Sequence, residues 1–449
     1  MKSARRITII GAGASGTLLA VNLLRSAEKP LEINIVEKRR SVGRGVAYST
    51  TDDAHFLNVP AGKMGAFPNE VEHFHNWLRK NGHQFEAGDF VPRRIYGEYL
   101  RDVFAEAIRD RGENSVVHII DDEAIDAAED GTAVMVSLRS GKTLVSDSVV
   151  LAFGNFLPPP VGVKDQSFVN DIRYFGDAWD PENFKRIDQS DNVLIIGTGL
   201  TAVDNILTLA HRGHTGRITA ISNHGWLPNI HAPADPYPPF ADEIARESTV
   251  VGLAKTVRAH CNKAANWRSV IDSLRPVTQE TWQRLPVTEK RRFMRHMRRI
   301  WDVSRHRMPP QCAAVLDRLQ GTGQLQIAEG RISVITPSDD GLKITYSKRG
   351  KTDILIADAV INCIGSESNY SNIEFPLVRN LMDKGAIKPD ELAIGLAALP
   401  NGVLLDRDDR PSPWFRTLGT ALKGILWEST AMPEIRVQAH RLALDLLAD

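Results

Sequence analysis

The stretch RITIIGAGASG, residues 6–16, decides the fold. Its first half is a short apolar run rich in β-branched residues, and its second half carries three glycines at the spacing G-x-G-x-x-G. Residues 17–25 then have helical character, and residues 32–37 form a second apolar run. Strand, glycine turn, helix and strand in this order predict a βαβ unit, whose parallel strands imply a twisted sheet covered on both faces.

Each of the three glycines has a steric reason. Gly11 permits a tight turn, Gly13 lets the backbone approach a pyrophosphate, and Gly16 lets the helix pack closely on the strand. The following helix directs its N-terminal amides at the phosphates. Glu37 ends the second strand, where a carboxylate binds a ribose 2′-OH and repels a 2′-phosphate. We therefore predict a FAD site rather than an ordinary tight turn, with these cofactor-binding residues: Gly11, Gly13, Ala14, Ser15, Gly16 and Glu37.

The same unit occurs a second time. Residues 192–196 repeat the apolar strand, and residues 203–212 have helical character. The turn between them, with alanine accepted at the last glycine position, predicts a second dinucleotide site at Gly197, Thr198, Gly199, Leu200 and Thr201. The next strand ends in Ser222 and Asn223 without a carboxylate, so a 2′-phosphate would meet no repulsion. This favours NADPH, with NADH as the alternative.

The length of 449 residues predicts two or three domains at roughly 150 residues each. Three consecutive prolines at 158–160 mark a linker. The predicted fold class is α/β, with two Rossmann-like dinucleotide-binding domains, the second inserted in the first, and a helical insertion. The predicted boundaries are 1–160 and 355–449 for the FAD-binding domain, 161–354 for the NADPH-binding domain and about 228–318 for the helical insertion.

Two apolar strands end in similar sequences, LAFGN at 151–155 and INCIG at 361–365. They are either ordinary strand ends or the points where the chain crosses between the two domains, beside the bound nucleotides. Under the second interpretation, three cofactor-binding candidates are Ala152, Gly154 and Gly365. Ala124, in the alternating strand region 116–150, is a further candidate.

Composition excludes several classes of protein. Lys plus Arg equals Asp plus Glu at 55 each, so no global field draws the chain to nucleic acid or to anionic lipid. The hydrophobic fraction of 42% is typical of a globular protein. The three cysteines lie far apart, which argues against a disulfide framework or a dithiol centre and predicts a cytoplasmic location.

Two further patterns resemble a signal peptide and a metal site. The uncharged segment 7–24 follows basic residues as a signal peptide would, but its glycines indicate a buried strand and helix, so no membrane span is predicted. The histidines His211, His214, His224 and His231 lack the spacing of metal ligands, so no metal is predicted.

The layout resembles the two-dinucleotide-domain flavoproteins, which include class B flavin monooxygenases and disulfide reductases. More closely, GRGVAY at 43–48, LNVPA at 57–61, WESTA at 427–431 and PEIR at 433–436 resemble the FAD/NAD(P)-binding family that includes bacterial FAD-dependent urate hydroxylase. This resemblance spans the chain and implies FAD, NADPH, O2 and a small-molecule substrate, without implying urate itself. The reductases' cysteine pair and the Baeyer–Villiger fingerprint are missing.

The resemblance also suggests roles for particular residues. Arg44 and Asn58 are the catalytic candidates on the flavin side, with Gly45 beside them, although a loop asparagine can instead satisfy its own turn. Pro433 and Glu434 open the final helix, whose positive end would face the flavin, or are simply a helix start. In the arginine-rich stretch 290–307, most arginines are expected on a solvated face, while Arg305 or Arg307 could grip a 2′-phosphate or a substrate carboxylate.

The resulting prediction is a FAD-dependent, NAD(P)H-consuming monooxygenase that hydroxylates a small polar molecule through a C4a-(hydro)peroxyflavin. The alternatives are an NAD(P)H-dependent flavin reductase or oxidase, and a non-catalytic, redox-regulated binding protein. No residue pattern names the substrate or an oligomeric state.

Overall fold

The computed structural model describes residues 4–38, 42–113 and 115–448. The strands are, in chain order, β1 (Arg5–Ile10), β2 (Leu31–Val36), β3 (Val116–Ile120), β4 (Ala124–Asp130), β5 (Ala133–Leu138), β6 (Thr143–Ser146), β7 (Ser148–Leu151), β8 (Tyr174–Phe175), β9 (Val193–Ile196), β10 (Ile218–Ser222), β11 (Leu325–Glu329), β12 (Arg331–Ser338), β13 (Gly341–Lys348), β14 (Lys351–Ala357), β15 (Ala359–Asn362), β16 (Val403–Leu405) and β17 (Pro411–Thr417).

The α-helices are, in chain order, α1 (Ala14–Ser26), α2 (Gly45–Tyr48), α3 (His73–Lys80), α4 (Arg93–Arg109), α5 (Leu200–His211), α6 (Ala241–Arg246), α7 (Val250–Lys263), α8 (Trp267–Ser273), α9 (Arg275–Arg284), α10 (Val287–His296), α11 (Arg298–Arg305), α12 (Pro310–Gly321), α13 (Pro376–Asp383), α14 (Lys423–Leu426) and α15 (Met432–Ala448). None of the described helices is long and apolar enough to span a bilayer.

The first sheet has the order β16-β17-β7-β1-β2-β3, with β1 parallel to both β2 and β7. Alternate residues of β1 face opposite layers. Ile7 and Ile9 join a core with α1, α4 and α15, whereas Ile10 joins a core with the antiparallel sheet β4-β5-β6 and α13. The predicted βαβ unit and its covered faces are confirmed, and an antiparallel sheet supplies most of one cover.

The second sheet repeats this plan with the order β11-β10-β9-β15-β8, in which β9 is parallel to both β10 and β15. Ile195 packs in a core with α5 and α12 on one face. Leu194 and Ile196 pack against the antiparallel sheet β12-β13-β14 on the other. The same three-layer arrangement therefore occurs twice, as the repeated glycine turn predicts.

The domain limits differ from the predicted ones at two places. Strand β15 pairs with β9, so the predicted boundary at residue 355 cuts the second sheet, whose strand β15 ends at Asn362. Helix α12 packs Cys312, Leu316 and Leu319 into the core of that sheet. The predicted insertion, which runs to about residue 318, therefore includes most of a helix that belongs to the second sheet. The arginine-rich composition alone does not distinguish this helix from the helices of the insertion.

Other helices of the insertion contact the first sheet's part of the chain, as α9 shows most clearly. Trp282 of α9 stacks on Trp427 at 4.9 Å between ring centroids and donates from Nε1 to the Gly424 carbonyl at 2.8 Å. Arg275 forms a two-pronged ion pair with Glu434 of α15, at 2.7 and 3.0 Å. The insertion therefore bridges the two nucleotide-binding units.

Candidate active site

The first glycine turn lies where β1 ends. Gly11 has φ +105°, and a β-carbon on it would come within 2.6 Å of the Ala152 carbonyl oxygen. A β-carbon on Gly16 would overlap the Gly11 carbonyl oxygen. On Gly13 it would meet only the Cα of Gly45, at 3.6 Å. Two of the glycines are thus required by the fold, and the middle one leaves open space in front of the α1 N-terminus.

A loop closes over this turn. The Gly43 amide donates to the Ala12 carbonyl at 2.8 Å and to Thr17 Oγ1 at 3.0 Å. Gly45 has φ +53° and lies against Gly13, which is consistent with its predicted place beside the nucleotide. The structure therefore brings together two segments that are about thirty residues apart.

A third segment reaches the same place from the far end of the chain. A β-carbon on Gly419 would lie 2.7 Å from Ser15 Oγ, and the Gly419 amide donates to Gln438 Oε1 at 2.8 Å. Thr420 Oγ1 donates to the Phe153 carbonyl at 3.0 Å, next to Gly154. Gly419 was not predicted; the available sequence signal was a glycine two residues after strand β17, and the structure gives it φ +75°.

The remaining first-site candidates lie around these segments. The Glu37 carboxylate accepts from the Ala12 amide at 2.9 Å. Ala124 is buried in the same core as Ile10 and Val36 at the sheet's carboxyl edge. Ala152 continues the β7 ladder by donating to the Ile10 carbonyl at 3.0 Å.

Arg44 and Asn58 occupy different settings. Arg44 precedes α2, and its buried Nε finds no hydrogen-bond partner among the described residues. The backbone carbonyl of Asn58 accepts from His231 Nε2 at 3.0 Å. Its side-chain amide forms no hydrogen bond within the described chain, so the alternative that it satisfies its own turn is not what the structure contains. Burial, reinforced by Arg307, lowers the pKa of His231 to about 4.

At the start of α15, Glu434 is bound by Arg275, and Pro433 lies in the first turn. Arg436 donates to the carbonyls of Lys63 and Gly65 at 3.2 and 3.0 Å. These bonds fix the helix start against the loop that contains Asn58.

The second glycine turn copies the first. Gly197 has φ +115° and packs on the Cys363 carbonyl group, whereas a β-carbon on Gly199 would meet nothing within 4 Å. Leu200 and Thr201 begin α5 directly after it. Gly365, with φ +101°, follows β15 and likewise borders open space.

The register shows which residues correspond. Ile10 pairs with Val36, and Ile196 pairs with Ile221, so Ser222 stands where Glu37 stands in the first unit. Ser222 Oγ bonds to Thr198 Oγ1 at 2.8 Å, much as Glu37 bonds to Ala12. Asn223 follows as an exposed residue.

Arg299 of α11 also contacts the second glycine turn. Its guanidinium donates to Thr198 Oγ1 at 2.9 Å and to the Trp226 carbonyl. It forms no ion pair with a described carboxylate, and burial lowers its pKa. Sequence reasoning placed the stretch 290–307 mostly on a solvated face and missed this residue, because only the fold carries α11 back to the glycine turn.

A hydrogen-bonded network joins the two units between these turns. Arg93 forms a two-pronged ion pair with Asp204 of α5, at 2.8 and 3.2 Å. His55 donates to or accepts from Thr208 Oγ1 at 2.8 Å, and Asp52 accepts from Thr208 at 2.9 Å. The network fixes the loop before Asn58 on the helix that follows the second glycine turn.

Arg305 and Arg307 differ in their interactions. Arg307 is 3% exposed and forms an ion pair with Asp272. Arg305 forms no hydrogen bond or ion pair with a described residue. The structure therefore commits Arg307 to the protein and leaves Arg305 available. No group of metal-ligating side chains occurs among the described residues.

Comparison with known proteins agrees with this geometry. Residues 8–156 match a family model described as FAD-NAD(P)-binding. No curated protein matches the chain. Among solved structures, the ornithine N-hydroxylase of Kutzneria sp. 744 is 16% identical, covers 99% of both chains and has a TM-score of 0.63. L-lysine 6-monooxygenase of Pseudomonas syringae is 18% identical, covers 99% of both chains and has a TM-score of 0.65.

A FAD-bound cadaverine monooxygenase of Erwinia amylovora is 12% identical, with 100% of this chain and 95% of that chain covered and a TM-score of 0.68. At these identities the likeness shows the fold, and it confirms the predicted α/β class with two dinucleotide-binding domains. The FAD-NAD(P)-binding match supports the coarser resemblance, while the likeness to urate hydroxylase stays a prediction.

Proposed function

We propose that this chain is a FAD- and NADPH-dependent monooxygenase that hydroxylates a small polar molecule. The observation that carries the proposal is the pair of open glycines, Gly13 and Gly199, each in front of a helix N-terminus at the carboxyl edge of its own parallel sheet. Two such places accommodate two dinucleotides. The full-length likeness to ornithine, lysine and cadaverine hydroxylases supports the reaction class.

The first site is proposed to hold FAD. The space in front of Gly13 admits the pyrophosphate, and the α1 amides stabilise its charge. Glu37 binds the adenosine ribose hydroxyls. Arg44, whose Nε has no hydrogen-bond partner among the described residues, and the side-chain amide of Asn58, which likewise bonds to no described residue, are proposed to bind the flavin side. When bound, the flavin supplies hydride acceptance and O2 activation.

The second site is proposed to hold NADPH. Gly199 leaves room for the pyrophosphate, and no carboxylate stands at the Ser222 position to repel a 2′-phosphate. Arg299, joined to Ser222 through Thr198, offers the guanidinium fork that suits a phosphate. The ion pair of Arg93 with Asp204 joins α4 of the first unit to α5 of the second, and we propose that it helps to keep the two sites in register.

The cysteines argue for a monooxygenase over a dithiol reductase. Cys312 and Cys363 are buried as free thiols, and burial raises the pKa of Cys312 to about 12. Burial likewise raises the pKa of Cys363 and of the half-buried Cys261. A thiol kept protonated in this way is a poor nucleophile, so no described cysteine suits disulfide exchange.

The test is turnover of the purified, FAD-loaded protein with NADPH under 18O2. Ornithine, lysine, cadaverine and urate are supplied in turn. We expect substrate-dependent NADPH consumption and a product that carries one 18O atom by mass spectrometry. Steady H2O2 release without a labelled product would instead identify an oxidase, and absence of turnover would identify a binding protein. G13V, which blocks the FAD site, is the negative control.

A further inference from the structure

Arg305 is the last residue of helix α11, and its guanidinium group has no directly bonded partner among the described residues. None of its five N–H donors bonds to a described residue, although it is partly shielded from solvent and burial lowers its pKa. Its nitrogens are not among the fully buried atoms that lack a partner, so they are accessible to a ligand. A carboxylate or phosphate would supply acceptors for these donors.

The acidic side chains near Arg305 are already bound by other residues. Glu434 is held by Arg275, and Asp272 by Arg307. Glu428 accepts from Trp301 Nε1 at 2.7 Å and lies 3.6 Å from His306. Although burial acts to raise it, the pKa of Glu428 falls to about 2 because of His306, Arg305 and Trp301. Arg305 therefore contributes to a charged cluster at a distance and keeps its own donors free.

Two more polar groups without partners lie on either side of Glu428. Trp427 Nε1 and Ser429 Oγ are both buried, and neither finds a hydrogen bond among the described residues. Trp427 also has φ +60°, a conformation that costs a non-glycine residue of the order of 1–3 kcal/mol. Strain and unsatisfied donors at one place point to a ligand-binding function.

This cluster lies between the two segments assigned to the flavin side. His231, which bonds to the Asn58 carbonyl, is within electrostatic range of Arg305. Ser429 accepts through its carbonyl from Gln438, at 3.4 Å, and Gln438 also holds Gly419. Arg305 is thus near the place where a substrate would meet the flavin.

We propose that Arg305 binds a carboxylate of the substrate, so that the molecule hydroxylated is an anion or a zwitterion. This assignment rests on the proposed function. A guanidinium fork accepts a carboxylate through two parallel hydrogen bonds. Trp427 Nε1 and Ser429 Oγ, which flank Glu428 in the chain, are the two further unpartnered groups in this part of the described structure.

The test uses ligand pairs that differ in one carboxylate: L-ornithine with putrescine, L-lysine with cadaverine, and benzoate with benzamide. Binding is measured by tryptophan fluorescence, to which Trp301 and Trp427 contribute among the eight tryptophans of the chain, and by perturbation of flavin absorbance. We expect at least one carboxylate member to bind at least about tenfold more tightly than its partner, a difference of about 1.4 kcal/mol.

The variants are R305Q, R305K and the matched control R295Q, which removes an exposed charge from α10. R305Q should abolish the preference for the carboxylate, R305K should retain part of it, and R295Q should retain all of it. Because Arg305 bonds to no described residue and acts on Glu428 only at a distance, R305Q should lower the urea midpoint only slightly. R307Q, which removes the ion-pair partner of Asp272, should unfold at a lower urea concentration than the wild type.

The proposal is overturned if no pair shows a carboxylate preference, if the preference persists in R305Q, or if R305Q instead weakens binding of NADP+. A urea midpoint for R305Q as low as that of R307Q would assign the residue a structural role. Failure of the proposed function would be seen separately: the protein would take up no FAD, or NADPH would not reduce its bound flavin. Tryptophan fluorescence still measures carboxylate binding in that case.

Discussion

Gly197 lies directly against the carbonyl group of Cys363, and a β-carbon on this glycine would come within 2.8 Å of the Cys363 carbonyl carbon. Gly11 stands in the same relation to Ala152. In both units the glycine amide continues the neighbouring ladder, Gly197 to Ile221 at 2.7 Å and Gly11 to Val36 at 2.9 Å. The tight approach of turn to strand is therefore a property of the repeated fold.

This contact predicts a difference between two glycines of one turn. G197A should lower the free energy of unfolding by at least about 2 kcal/mol, since φ +115° and the overlap with Cys363 both oppose a side chain. G199A should change it little, because a β-carbon there meets nothing within 4 Å. Urea unfolding of both variants measures this. Equal midpoints would contradict the steric assignment.

G13V should yield a folded but colourless protein. Gly13 has an ordinary φ of −66°, and a β-carbon on it would lie 3.6 Å from its nearest neighbour, the Cα of Gly45. The fold therefore tolerates a larger residue there, while the pyrophosphate loses its space. FAD released on denaturation is measured by absorbance. G112V, at another unobstructed glycine, should keep the wild-type flavin content. A yellow G13V protein would refute the placement of the FAD site.

G199V should stay yellow and lose flavin reduction by NADPH, because it blocks the second turn alone. Anaerobic mixing with NADPH, followed by flavin absorbance, measures the rate. Dithionite should still reduce the flavin of this variant. If G199V loses FAD instead, the division of the two sites is wrong.

Coenzyme choice should depend on Ser222 and Arg299. S222D introduces the carboxylate that Glu37 provides in the first unit, and should shift kcat/KM toward NADH by at least about tenfold, or 1.4 kcal/mol. R299Q should lower kcat/KM for NADPH by about tenfold and leave NADH unaffected. R295Q is the control. A native preference for NADH that S222D does not alter would show that Ser222 and Arg299 do not face the ribose.

His231 predicts a pH dependence of stability. Its folded pKa of about 4 lies below the unfolded value of 6.5, so between these values the unfolded state binds the extra proton. Stability is therefore fully present above pH 6.5 and is lost as the pH falls toward 4. Urea midpoints at pH 7 and pH 5 should differ more for the wild type than for H231Q, which cannot titrate. An equal difference would show that His231 is protonated in the folded protein.

Much of the fold could be predicted because it rests on local patterns. The apolar runs before Gly11 and Gly197 and the helices after them follow from residues that are neighbours in sequence. The limits of the second unit could not be predicted at β15 and α12. Their membership depends on pairing with β9 and packing on α5, and neither partner is near in sequence.

The sequence by itself determined that two glycine turns exist and that Glu37 and Ser222 end the strands beside them, since turn geometry is set within a few residues. Only the tertiary structure decided which charges meet those turns. It joined Gly419 to Ser15, carried Arg299 to Thr198, paired Arg307 with Asp272 and gave Arg305 no ion pair within the described part of the chain. These relations join residues as many as four hundred positions apart, and hydrogen bonds and desolvation at such contacts depend on packing that composition and spacing do not encode locally.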